Sequence, residues 1–422
     1  MKLNATSATA ACLIVGLGGF LVGKVTTAPS EKSEADRLLE STDQLVNSRT
    51  SSGGPDGERR GAGNRPLRPG SERSDSTFDE RLAKMEEIVR GENALDRGRA
   101  MLDWIDSLAA EDFEGAVARF RSLGLTEARM GEYAMLLTAW AEVDPIAALT
   151  YTKENTRGGM ATGTVLSAWA SRDPEGAIQW ANNEHEGDGA NPYMVGIIRG
   201  LAGNNPTRAT EILQELPFSR ERGQALGAMM PHLMKMGAEA SKTWISNLAD
   251  DQLRDGAIAR FSEQMAKEDP EGTATWLLAN LGESSTRSVD EVYEEWAKKD
   301  SAAALATIGS VPEGAARSRA LRGVITVEAR ENPGAAAALM DRYADEVDDS
   351  TVMHFVWNSF REEPAIAMSQ VSKIEDEGRR NRMYSRTLES WINNDQVAAQ
   401  RWIDSADLPD SVIRRLPQRE TP

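Results

Sequence analysis

The sequence predicts an all-α protein, a right-handed α-α superhelix (solenoid) of about nine or ten two-helix repeats, and three observations predict it. A junction signature returns about every 32 positions: an acidic or amide residue, often followed by Pro, with a small residue four positions on. Its anchors are Asp112, Asp144, Asp173, Asn205, the degenerate Gly237, Asp269, Asp300, Asn332, Glu363 and Asp395, in steps of 32, 29, 32, 32, 32, 31, 32, 31 and 32. Spacing of that length marks stacked supersecondary units. Apolar residues on either side of the anchors recur at helical spacing. Tryptophan, ten copies against eight Phe and six Tyr, keeps register with the anchors.

The chain opens with an uncharged stretch, residues 8–23, ATAACLIVGLGGFLVG, between Lys2 and Lys24. As a helix it would span roughly 24 Å, short of the roughly 30 Å hydrocarbon core unless its Thr and Ser neighbours contribute. It reads as an uncleaved single-pass anchor or as the core of a cleaved signal peptide, with TTAPS at 26–30 as a loose processing region. Either reading sends the bulk of the chain across the bilayer, into the periplasm if the host has two membranes. The piece 51–76, SSGGPDGERRGAGNRPLRPGSERSDS, is too poor in apolar side chains to offset the entropy of ordering it and reads as a tether. The expected division is therefore an anchor or signal peptide at 1–24, a disordered linker at 25–77, helical repeats at 78–415 and a disordered tail at 416–422.

The unit around Asp173 shows the repeat grammar. Val165, Leu166, Trp169 and Ala170 can share one face of a first helix, A. Asp173 stands where an N-cap is needed, and Pro174 at the first helical position has no amide proton to leave unsatisfied. Ala177, Ile178, Trp180 and Ala181 supply the packing face of the second helix, B. The same junction is expected at Asp112, at Asp144 with Pro145, at Asn205 with Pro206, at Asp269 with Pro270 and at Asp300. It follows again at Asn332 with Pro333, at Glu363 with Pro364 and at Asp395. The small residue one turn into B lets the two helices approach where Leu would overpack. Around Gly237 both acid and Pro are lost, while Ser241 and Trp244 keep the later positions, so this junction is expected to be the weakest.

Trp140, Trp169, Trp296 and Trp391 lie four residues before their anchors, and Trp180, Trp244, Trp276 and Trp402 lie seven after. Such registration points to core packing and not to a stacking platform for sugar or nucleic acid. Trp357 keeps neither offset and is the better candidate for a surface contact.

Asp112, Phe113, Glu114, Gly115 and Ala116 form an acidic, glycine-containing turn followed by a small Ala. Asp173, Pro174, Glu175, Gly176 and Ala177 repeat it with Pro in place of the aromatic. Over residues 78–415 this pattern resembles the tetratricopeptide family and, more broadly, the tetratricopeptide-like α-α superhelices. The resemblance implies an all-helical superhelix. The period near 32 instead of 34, and the lack of a regular Leu-Gly pair and Tyr in helix A, set the chain apart from the family's own pattern.

Composition narrows the chemistry. Sixty-six acidic against 48 basic side chains give a formal net charge of -18, which repels a phosphate backbone, so no nucleic-acid partner is expected. The single Cys12 supplies neither a disulfide framework nor a thiolate metal cluster. His185, His232 and His354 are far apart and out of phase in the repeat. Asp290, Glu291, Glu294 and Glu295 can place two acids one turn apart, but such pairs are expected by composition alone. Asp341, Asp345, Glu346, Asp348 and Asp349 lack the order of a calcium loop. No catalytic, cofactor-binding or metal site is expected. These readings converge on a membrane-tethered, noncatalytic scaffold of the cell envelope, presenting an extended, predominantly acidic concave surface to an unidentified protein or peptide. The alternatives are a self-associating structural protein and, beyond that, a polysaccharide-binding module or an enzyme.

Overall fold

The computed structural model describes residues 77–416. The segments 1–24 and 25–76 and the tail from 417 lie outside the described residues. Helix α1 (Phe78–Val89) precedes ten helix pairs. These are α2 (Ala94–Asp106) with α3 (Phe113–Ser122), α4 (Glu127–Val143) with α5 (Pro145–Asn155), and α6 (Met160–Ala170) with α7 (Pro174–Glu184). Next come α8 (Met194–Ala202) with α9 (Pro206–Glu215), α10 (Arg220–Met236) with α11 (Ala238–Ser246), and α12 (Asp251–Met265) with α13 (Pro270–Ala279). A short α14 (Glu283–Arg287) leads into α15 (Val289–Thr307), which carries both halves of repeat 7 across a break at Asp300. The last pairs are α16 (Ala315–Glu331) with α17 (Pro333–Arg342), α18 (Asp349–Ser359) with α19 (Pro364–Gln370), and α20 (Glu377–Asn394) with α21 (Gln396–Ser405), closed by α22 (Asp410–Ile413). No strand occurs among the described residues. The fold is an all-α solenoid of ten repeats.

The expected membrane-tethered protein is corrected at this point. Among the described residues no helix is long and apolar enough to cross a membrane. The longest, α15 at 19 residues, carries seven Asp, Glu or Lys side chains between Asp290 and Asp300. The anchor at 1–24 on which the expectation rested lies outside the described residues. Membrane attachment, and the single-pass, periplasmic placement that depended on it, are therefore withdrawn.

Each junction is built on one residue that serves two helices. At Asp173 the backbone leaves helical geometry, at φ -135° and ψ 80°. Its N–H still donates to Trp169 O at 2.8 Å in the last turn of α6, while its C=O accepts from Ala177 N at 3.2 Å in α7. Its carboxylate takes one of the free first-turn amides, accepting from Gly176 N at 3.1 Å. Asp144, Asn205, Asp269, Asp300, Asn332 and Asp395 make the same side-chain bond to the amide three residues on, at 2.9 to 3.2 Å. Pro145, Pro174, Pro206, Pro270, Pro333 and Pro364 all open their helices. Every small residue four positions past an anchor is buried, from Ala116 and Ala148 to Ala367 and Ala399.

Three anchors depart from this geometry. Asp112 lies in a 3-10 turn, where its carboxylate accepts from Ala109 N at 2.8 Å and pairs with Arg81 at 2.7 Å, leaving α3 without a side-chain cap. Glu363 adopts the junction backbone but makes no cap bond, its side chain being one methylene longer than Asp. Gly237 sits at φ 85°, a conformation a β-carbon strains, and here the Ser241 hydroxyl holds the junction by donating to Leu233 O at 2.6 Å.

Successive A helices pack directly on one another, closely so along α4, α6, α8 and α10 and again along α15, α16 and α18, while each B helix wedges between its own A helix and the next. The A helices thus form one continuous row, with a single solvent face running along it. At two contacts the approach demands glycine. A β-carbon on Gly200 would stand 2.1 Å from Ser167 O, and one on Gly323 would stand 2.3 Å from Asp290 O.

A second repeated device lies in the loops. Arg97, Arg129, Arg222, Arg254, Arg317 and Arg380 all stand fifteen residues before their anchors. Five of them donate to a carbonyl six residues earlier, folding the incoming loop onto helix A: Arg97 to Gly91, Arg129 to Leu123, Arg254 to Leu248, Arg317 to Val311 and Arg380 to Ile374. Arg222, buried, instead pairs with Asp250 of the next repeat's cap at 3.0 Å.

Candidate functional site

The tryptophans are mostly committed to packing. Trp140, Trp296 and Trp391 are buried, while Trp169, Trp180, Trp244, Trp276 and Trp402 are partly buried against the same core. Trp140 stacks with Phe113, Trp276 meets Phe261 edge-on, and Trp391 lies 6.2 Å from Trp402. Trp357 is 48% exposed. The eight registered tryptophans thus sit at helix wedges; of the two that keep neither offset, Trp104 is buried and donates to Arg81 O at 2.7 Å, and Trp357 faces solvent.

The solvent face of the A row over repeats 6 to 10 collects most of the remaining polar chemistry. Asp290 on α15 receives the buried Arg322 of α16, at 2.6 Å through Nη2 and 3.1 Å through Nε, and Arg319 at 3.5 Å. Arg322 also donates to Ser350 Oγ of α18 at 3.3 Å, so one guanidinium ties three successive A helices. Glu294 and Glu295 share Lys298, at 3.1 and 2.8 Å. Arg330 reaches both Glu294 at 3.6 Å and Asn358 Oδ1 at 2.7 Å. Next to Asn358, Trp357 lies under the guanidinium of Arg386 from α20, 5.0 Å from the ring centroid.

Within this row the acids have separate fates. Asp290, Glu294 and Glu295 are neutralised by the cations just named. Glu291 is an exposed residue of α15 near Glu263, whose Oε1 accepts from Ser288. Burial first, and the Glu263 charge second, push its carboxyl up to about 6. A raised carboxyl is a feature shared by acid catalysts and by charges crowded among like neighbours, and Glu291 has Glu263, Asp290 and Glu295 around it.

The second acidic cluster, at 341–349, is dispersed into structural tasks. Asp348 caps α18 through Thr351 N at 2.8 Å, and Asp349 accepts from Glu375 N at 2.6 Å and Asp376 N at 3.2 Å. Asp341 pairs with Lys373, and Glu346 with Arg317 at 3.3 Å. Among the described residues no group of three His, Cys, Asp or Glu side chains could hold a metal ion. His185 approaches Gly189 O at 3.0 Å, His232 lies on α10 and His354 on α18, so the structure brings no two together.

The solvent face of the A row is therefore not uniformly acidic. Carboxylates dominate repeats 6 and 7, while Arg361, Arg379, Arg382 and Arg386 gather on the last two A helices and the turn after α18. The sequence reading missed this segregation, although the spacing of Arg379, Arg382 and Arg386 at three and four residues already marked one helical stripe. Comparison of the chain with protein-family models, with curated proteins and with solved structures finds no match in any of the three, so the chain stands classified by its architecture, an all-α solenoid of paired helices.

Proposed function

We propose that this chain is a noncatalytic protein-interaction scaffold, which presents the solvent face of its A helices to a protein or peptide. The single observation that carries the reading is the continuity of that face: Glu294, Arg330, Asn358, Trp357 and Arg386, drawn from four consecutive repeats, form one connected row. A surface fixed by bonds running from repeat to repeat can meet an extended ligand with little ordering cost. The turns at 112–116 and 173–177 keep the tetratricopeptide-like class as the closest grammar for the repeats.

The test is crosslinking of the tagged full-length chain in its native host, followed by mass spectrometry and by light scattering on the purified chain. Crosslinks from a reproducible foreign protein to residues of the A row support the scaffold. Crosslinks confined to copies of the chain itself, with a defined oligomer in light scattering, turn the reading to a self-assembling structural protein.

A further inference from the structure

We infer that the solvent face of the A helices in repeats 9 and 10 is a docking site for a short acidic segment of a partner protein. The inference rests on the scaffold reading and adds the chemistry of the occupant.

The site is built from two A helices. Trp357 of α18 presents a half-exposed indole, His354 precedes it by one turn on the same face, and Arg361 follows at i+4 in the turn after α18. From α20, Arg386 covers the indole at 5.0 Å, and Arg382 lies one turn before it on the same exposed stripe. Arg379 continues the stripe and approaches Asp349 only at 4.0 Å. Arg361, Arg382 and Arg386 are exposed and join no ion pair among the described residues.

In the two repeats that precede the site the cations of the A row are answered: Arg322 by Asp290, Arg330 by Glu294, Lys298 by Glu294 and Glu295. In a chain of net charge -18, three unanswered guanidiniums around an exposed indole are a local reversal of sign. Guanidiniums bind carboxylates through paired N–H donors, and an indole offers apolar area beside them. Together they complement a peptide that alternates acidic with uncharged residues.

Charge pattern also selects the peptide over a longer polyanion. The patch is bounded by Glu362, Glu363 and Glu389, and beyond Arg330 the row becomes acidic at Glu291 and Glu263. A phosphate or sulfate polymer laid along the row would run into these carboxylates, whereas a short segment ends before reaching them.

The probe is a fluorescein-labelled peptide of about 12 residues alternating Glu with Gly, which extended covers about 40 Å and so crosses both repeats. Binding to the full-length chain is followed by anisotropy, beside a counterpart carrying Gln for Glu. The expected result is salt-sensitive binding of the Glu peptide alone, weakened about tenfold by R382Q/R386Q and by W357A, while K298Q in repeat 7 leaves it unchanged. Circular dichroism checks that the variants remain folded, and W357F, which keeps an aromatic face, should retain most of the affinity. Equal binding of both peptides, or a Glu peptide indifferent to R382Q/R386Q and W357A, overturns the proposal. So does tighter binding of heparin or single-stranded RNA than of the peptide at equal charge, or an oligomer of the unliganded chain that R382Q/R386Q dissolves, since the occupant would then be a polyanion or a second copy. A foreign partner crosslinked to the A row but retained by the variants sinks this site alone; no foreign partner at all sinks the scaffold reading with it.

Discussion

A single residue decides where each helix ends and the next begins. Asp173 divides its groups between two helices, the N–H to α6 and the C=O and carboxylate to α7. Replacing it with Ala removes only the carboxylate bond, so thermal or urea unfolding of D173A should show a loss of about 0.5–2 kcal/mol. Glu363→Asp should shift stability the other way, because the shorter acid can reach the first-turn amide that Glu363 leaves unbonded. An unchanged midpoint in both would mean that the junction backbone, and not its cap, carries the stability. Glu291 gives the residue scale its pH dependence. Its carboxyl is raised from 4.5 to about 6 in the folded chain, so between those values the folded state holds a proton that the unfolded state has released. Stability is therefore lost as pH rises through that window, and the penalty is complete above it. E291Q should be more stable than the wild type at pH 7 and should lose that advantage by pH 4.5. An equal advantage at both values would exclude the carboxyl's charge as the cause.

Pairing of elements depends on distances that no single repeat reveals. The anchors, the prolines and the small residue four positions on were legible because all are local: a cap, a fixed φ and one turn of helix. Close approach of neighbouring A helices was not, since it depends on which faces meet once repeats are stacked. Gly196 and Gly200 on α8 carried a visible signal, two glycines one helical turn apart, and Gly323 carried none. Gly323→Ala places a methyl group against the backbone of α15 and should destabilise the protein by about 1–3 kcal/mol in urea melts, despite the gain in helix propensity. Gly131→Ala, with open space around it, is the matched control and should be neutral or slightly stabilising. The Arg placed fifteen residues before six anchors was legible in principle, as a second comb with the same spacing. Its purpose became readable only with the loop carbonyls in place. The charge pattern along the A row was hidden for a similar reason, since net composition says nothing about which face of a helix a residue occupies.

Across the whole molecule, stability is a sum over neighbours, so its weakest link should be local. Repeat 5 combines several deficits. Gly237 replaces the capping acid at φ 85°, Pro231 removes an amide from the middle of α10, and α10 and α12 pack less closely than α8 and α10 do. Native-state hydrogen exchange should therefore find the amides of α11 less protected than those of α7. Equal protection would show that the Ser241 bond to Leu233 fully replaces the missing acid. The arginine hooks carry a different consequence. From the hooked carbonyl, through Arg and anchor, to the small residue of helix B, spacing is held by bonds at fixed offsets, so added or deleted residues can be absorbed only in the later part of B and at the start of the following loop. Those stretches are where the hooked repeats can lengthen, acquire a tag or receive a grafted loop without disturbing the stack.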